Sequence, residues 1–183
     1  AGDGVDASVK DGSEEARGGR WLILIYHLPR EPSRHRVAVW RRLKALGALY
    51  LQDGVVTLPE DAVTREQLEW LQLRVREAGG DATLWEAMPN TVAEGRALVE
   101  EFRAAREAAY TDLIDAAARL RLKAESGADR PALLEELADL ERDFRAERRR
   151  DYFKSPLRKT ADRAIREARR ALKEDVAARE GAG

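Results

Sequence analysis

The first sustained apolar run covers residues 21–28 and is bounded by Pro29 and Pro32. Both of its alternating sets are apolar: Trp21, Ile23 and Ile25 on one side, Leu22, Leu24, Tyr26 and Leu28 on the other. A strand apolar on both faces is a central strand, covered on both sides or on one side plus a partner. Ser33 then stands where a helix N-cap is expected. Val39, Leu43 and Leu46 follow at helical spacing, with Trp40 beside them, and Gly47 is placed to end the helix. Residues 48–51 and 55–58 flank Gln52, Asp53 and Gly54, and the Asp-Gly pair signals a hairpin. Thr64, with Gln67 three residues on, predicts the start of a second helix. Its inner side carries Leu68, Leu71 and Val75, joined by Trp70, and Gly79-Gly80 stops it. Residues 81–88 alternate again, which predicts a last strand. The order βαββαβ predicts a ferredoxin-like antiparallel sheet domain over residues 20–89.

After Pro89-Asn90-Thr91 the period changes to three and four. Leu98, Phe102, Ala105, Ala109, Leu113, Ala117 and Leu120 predict one helix from residue 92 to about 123. A Ser-Gly break follows, and Pro131 fits the first position of the next helix. Leu133, Leu137, Leu140 and Phe144 predict that helix, running back as an antiparallel hairpin. Ser155-Pro156 opens the last one, lined by Leu157, Ala161, Ala164, Ile165, Ala168 and Leu172. The fold class is therefore α+β, with an all-helical hairpin or bundle over 90–183. Residues 1–19, rich in Gly, Asp, Glu and Ser, read as a disordered leader, and the final glycines as a frayed end.

Composition narrows the chemistry. The formal net charge is −1, so any attraction to nucleic acid must be local. The absence of Cys removes disulfides and thiolate sites, and two His are too few for a His-rich metal site. No apolar run approaches the roughly 18 residues of a membrane span, and no signal-peptide core stands at the start. The expectation is a cytoplasmic protein that engages no membrane and carries no metal or cofactor.

Charge is concentrated in two places. Ser33, Arg34, His35 and Arg36 stand at the start of the first helix, preceded by Arg30 and followed by Arg41, Arg42 and Lys44. A helix N-terminus offers free N–H groups to an anion, and Arg adds charge-assisted hydrogen bonds. Ser33, Arg34, His35 and Arg36 are thus candidate anion ligands. The competing reading pairs these side chains with Glu31 or Asp53, or leaves them solvated. The second concentration lies within residues 142–173, where thirteen Lys or Arg face five Asp or Glu. With Tyr152 and Phe153 among them, these residues suit a phosphate backbone. The candidate DNA contacts are Arg41, Arg42 and Lys44, then Arg148, Arg149, Arg150, Lys154, Arg158 and Lys159. A solvated face laced with i,i+4 pairs is the alternative. Trp21, Trp40, Trp70 and Trp85 are expected in the core, and His27 as a half-buried strand residue. No catalytic residue emerges: no nucleophile motif, phosphate-cradling Gly loop or metal-binding helix is present.

The run LPREPSRHRVAVWRRLK, then LGA, YLQDGV and LP, resembles the N-terminal domain of ChrB-type chromate-resistance proteins. GDATLWEA and the helical tail extend the resemblance more weakly. It implies a chromate-responsive transcriptional regulator or accessory factor, related to the Cas2-like middle domain of PaaX-type repressors. Longer members of that family continue into a second domain. The expected partners are operator DNA, chromate or another oxyanion, and a second copy of the chain. The competing classes are a protein-interaction module without DNA, and a metal-dependent nuclease.

Overall fold

The computed structural model describes residues 19–180, with side chains as far as Lys173. The expected leader up to residue 18 and the terminal glycines lie outside the described residues. The chain divides into two compact units, the first through Glu101 and the second from Phe102.

The first unit carries a four-stranded sheet. In chain order its elements are β1 (Trp21–His27), α1 (Ser33–Leu46), β2 (Leu49–Gln52), β3 (Val55–Pro59), α2 (Ala62–Glu77) and β4 (Asp81–Ala87). The sheet order is β2-β3-β1-β4, antiparallel throughout, so β1 is central as its apolar run predicts. Leu24 lies opposite Val56 on one neighbour and Leu84 on the other. The set Leu22, Leu24, Val56 and Leu58 is fully buried. α1 buries Val39 and Leu43, and α2 buries Leu68, Leu71 and Val75 while packing on β1 and β4. Each such aliphatic side chain contributes about 1.5–3 kcal/mol by leaving water. The opposite set is less covered: Trp21 is buried, but Ile25 is 44% exposed.

Local signals decide the ends. Gly47 takes the left-handed conformation (φ 71°) after α1, and Asp53-Gly54 makes the two-residue turn between β2 and β3. Two caps differ from expectation. Ser33 is already inside α1; Pro32 precedes it without a side-chain cap, and the Ser33 amide donates to the Glu31 carboxylate at 3.2 Å. α2 is capped by Asp61 rather than Thr64. The Thr64 amide donates to Asp61 Oδ1 at 2.7 Å, and the Asp61 amide donates to Thr64 Oγ1 at 2.9 Å. Thr64 Oγ1 also donates to the Pro59 carbonyl, which fixes the box to the end of β3. Gln67, expected in a box, accepts instead from Arg42.

The tryptophans separate. Trp21 is buried, whereas Trp40, Trp70 and Trp85 are 48%, 49% and 57% exposed. Cations cover the helical pair: Lys44 Nζ stands 5.0 Å from the Trp40 ring centre, and the Arg42 and Arg74 guanidinium carbons stand 5.8 and 5.5 Å from that of Trp70. An apolar ring with a cationic neighbour is stable at the surface, so core placement does not follow from residue type. His27, at the end of β1, is exposed rather than half-buried.

α3 (Val92–Glu125) begins in the first unit behind a Thr91–Glu94 capping box and continues into the second. The second unit joins the rest of α3 to α4 (Arg130–Arg149) and α5 (Leu157–Glu180). Asp129 caps α4 with Pro131 in its first turn, and the Leu157 amide donates to Ser155 Oγ at 3.3 Å. The core follows the predicted stripes: Leu113, Ala117 and Leu120; Leu133, Leu137, Leu140 and Phe144; Ala161, Ile165, Ala168 and Leu172. Tyr110 joins them with no exposed surface, its ring 6.1 Å from Phe144. Its hydroxyl donates to Asp151 at 3.1 Å, and Asp151 also accepts from the Ser155 amide.

Candidate functional site

In the first unit, the end of β1, the β2–β3 turn and the entry of α1 line an open cavity of about 610 Å³. Tyr26, His27 and Leu28 come from β1 and its exit, Tyr50 from β2, and Asp53 and Gly54 from the turn. Arg30 precedes α1, and Arg36, Val37 and Trp40 lie on it. The turn is pinned to β1, because the Tyr26 amide donates to the Gly54 carbonyl at 2.8 Å. Tyr26 and Tyr50 join hydroxyls at 3.3 Å. Burial, followed by the Tyr50 hydrogen bond and the nearby Tyr50 and Asp53, pushes the Tyr26 hydroxyl well above its ordinary pKa. Like an ordinary tyrosine it is protonated at neutral pH, and either hydroxyl of the pair can be the donor.

Of the four candidate anion ligands, Arg36 alone lines this cavity. The Ser33 amide is already occupied by Glu31. Arg34 is exposed and His35 half-buried outside the lining. Arg30, from the same basic cluster, joins Arg36 in the lining, and Tyr26, His27, Tyr50, Asp53 and Trp40 add positions that the sequence does not single out for a site. The signal for them is topological: the ferredoxin-like order returns the β2–β3 turn to the end of β1. Asp53 is the carboxylate in the lining, and among the described residues no group of three or more His, Cys, Asp or Glu could hold a metal ion.

Of the first-unit DNA candidates, Arg42 bonds Gln67 and covers Trp70, Lys44 covers Trp40, and Arg41 is exposed.

The second unit sorts its excess cations. Arg142 pairs with Asp139 at 2.8 Å, Arg166 with Asp162 and Arg169 with Glu141, each at 2.6 Å. Arg150 is drawn inward: with Arg106 it holds the buried Glu147. Burial lowers the pKa of both arginines, and each nevertheless remains cationic at neutral pH. Tyr152 and Phe153 are half-buried and pack edge-on against Phe102, with centroids at 6.1 and 5.8 Å.

A different set remains on the surface. The exposed Arg145, Arg148 and Arg149 recur at i, i+3 and i+4 along α4, and the half-buried Arg158 joins them from the first turn of α5. These four line a concavity of about 270 Å³ that contains no acidic residue. Among the described residues, Arg145, Arg149 and Arg158 make no salt bridge, while Arg148 lies over the Phe144 ring at 5.8 Å. Arg145 was not among the expected contacts, although its spacing from Arg148 and Arg149 marks the shared face. Lys154 and Lys159 are exposed, and Lys154 has a positive φ of 52°. Among the described residues no helix is long and apolar enough to cross a membrane.

The chain is 38% identical over 65 residues to Protein ChrB of Cupriavidus metallidurans; the alignment takes in 36% of this chain and 19% of that protein. It thus spans a small part of the relative's length. No solved structure matches the chain. The family described as Protein ChrB, N-terminal, matches residues 36–179, which takes in most of both units. The chain belongs to this family of ChrB N-terminal domains.

Proposed function

We propose that this chain is a cytoplasmic DNA-binding regulator or accessory factor of chromate resistance. Membership of the ChrB N-terminal family supports the association with chromate resistance. The observation that carries DNA binding is the acid-free concavity of Arg145, Arg148, Arg149 and Arg158. Guanidinium groups are suited to phosphate because their fork of donors matches its oxygens. Four clustered on two helices can track successive phosphates of a backbone. Arg30, Arg34 and Arg36 are the cations available to chromate or another oxyanion at the entry of α1.

Fluorescence anisotropy with promoter duplex at several salt concentrations tests the reading. Four phosphate contacts give a slope of log affinity against log salt of about −3.6, hence a loss of roughly a hundredfold between about 50 and 200 mM salt. The triple change Arg145→Ala, Arg149→Ala, Arg158→Ala is expected to flatten that slope by about three units. Equal binding by variant and wild type would overturn the DNA reading.

The outer sheet face supports dimerisation as a second element of this reading. Ile25, Leu51 and Trp85 are 44%, 45% and 57% exposed there, and apolar groups that join into a contiguous patch suit an association surface. Trp85→Glu is expected to shift a sedimenting dimer to monomer. A chain that is monomeric before the change would remove the homodimer.

A further inference from the structure

We propose that the cavity between β1, the β2–β3 turn and α1 is a nucleotide-binding pocket. It goes beyond the DNA reading and does not depend on it, since every lining residue lies in the first unit and none belongs to the arginine concavity.

Three features of the lining must be met by one ligand. Arg30 and Arg36 call for an anion with several oxygens, which phosphate supplies. Asp53 calls for hydrogen-bond donors, and it repels a bare multivalent anion. Trp40, with Tyr26 and Tyr50, offers aromatic surface to a flat ring; Lys44 at 5.0 Å takes up one side of the indole. A nucleoside phosphate carries all three groups: phosphate for the arginines, ribose hydroxyls or an exocyclic amine for Asp53, and a base for Trp40. The volume of about 610 Å³ lies within the range of small-molecule sites, roughly 300–1,000 Å³. A single tetrahedral oxyanion such as chromate would take the same two arginines but leave the aromatic wall in water, so it would compete with the nucleotide phosphate at that end of the pocket. The walls are preformed, because the turn bearing Asp53 is tied to β1 through Tyr26 and Gly54. The Tyr26 hydroxyl, kept protonated, adds a neutral donor.

The test is isothermal titration of the full chain with adenosine monophosphate, adenosine and inorganic phosphate, repeated with cytidine monophosphate. The monophosphates are expected to bind at least about tenfold more tightly than phosphate or nucleoside alone, as stacking of one base contributes about that much or more. Trp40→Ala should remove this advantage. Asp53→Asn should cross the two ligands, weakening the nucleotide and strengthening inorganic phosphate. A purely structural role of Asp53 would weaken both together. A 5′-phosphorylated dinucleotide distinguishes the sources: tighter binding than the mononucleotide assigns the pocket to a nucleic-acid strand, equal or weaker binding to free nucleotide, and either outcome upholds the pocket. Phosphate binding as tightly as nucleotide would overturn the inference and leave an oxyanion site. Absence of nucleotide binding at millimolar concentration by the folded chain would also overturn it. Neither result bears on the DNA reading, whose slope is measured on the Arg145, Arg149 and Arg158 variant.

Discussion

Gly54 and Tyr26 lock the hairpin turn onto the central strand. The Tyr26 amide donates to the Gly54 carbonyl at 2.8 Å, and Gly54 has φ of +71°. A Cβ on Gly54 would press into the Tyr26 carbonyl, closer than real Cβ atoms approach backbone oxygen. Left-handed conformation costs a side chain about 1–2 kcal/mol, and the collision adds to it. Gly54→Ala is therefore expected to destabilise the first unit by about 3 kcal/mol, read from urea unfolding. A change below about 0.5 kcal/mol, the range of an ordinary surface substitution, would show that the turn moves freely off β1.

Glu147 is the anion between two partly buried arginines. Its side chain is 9% exposed and pairs with Arg106 and Arg150, which are 13% and 21% exposed. Removing one member of a buried pair leaves an uncompensated charge and costs about 3–5 kcal/mol. Glu147→Ala should cost about that much, because it leaves two cations facing each other. Arg106→Ala should cost less, because Arg150 still compensates Glu147. Denaturant titrations of both variants check the order, and the reverse order would contradict this account.

Alkaline pH should act on Tyr110. Burial, followed by the neighbouring Asp151 and its hydrogen bond, raises the Tyr110 hydroxyl above the ordinary value of 10.0. The folded state thus holds its proton more tightly than the unfolded chain. The associated stability is intact below pH 10, where both states are protonated, and is lost as pH rises beyond it. Tyr110→Phe should flatten the fall in unfolding free energy above pH 10, while costing about 1–2 kcal/mol at neutral pH for the hydrogen bond to Asp151. Unfolding curves from pH 8 to pH 11 measure both; an unchanged alkaline slope would place the effect on other tyrosines.

Much of the fold was legible because its signals are local. The turn at Asp53-Gly54, the stop at Gly47 and the stripe Leu133, Leu137, Leu140, Phe144 each follow from residues a few positions apart. The miss at Ser33 has a local cause too: Glu31 supplies the carboxylate that takes the amide, so a hydroxyl cap is not needed. Asp61 could have been read as the cap of α2 from its spacing to Thr64. Long-range partners were not legible. Arg42 over Trp70 and Arg106 on Glu147 come from distant positions in the chain, whereas Lys44 and Arg74 follow Trp40 and Trp70 by four residues and Glu147 precedes Arg150 by three, so those pairs are helix-spaced and local. The cavity was hidden for the same reason, since its walls come from residues 26–54 through strand pairing. Charge counting found the second basic region but could not separate paired from free arginines.

Arg149 and Arg150 are neighbours in sequence with opposite expected roles. Arg149 lines the open concavity with Arg145, Arg148 and Arg158, and it makes no salt bridge among the described residues. Arg150 caps the end of α4, and its guanidinium is held by Glu147 inside the unit. Losing Arg149 removes one phosphate contact and no internal bond. Arg149→Ala should keep stability within about 0.5 kcal/mol and make the salt slope of DNA binding shallower by about 0.9. Losing Arg150 weakens the compensation of Glu147, with Arg106 still in place. Arg150→Ala should cost about 1–2 kcal/mol of stability, as loss of a charged hydrogen bond does, and leave the salt slope of the folded protein unchanged. Unfolding curves and anisotropy titrations on the two variants, read together, decide it. A salt slope that follows Arg150 rather than Arg149 would move the DNA contact from the concavity to the Glu147 network.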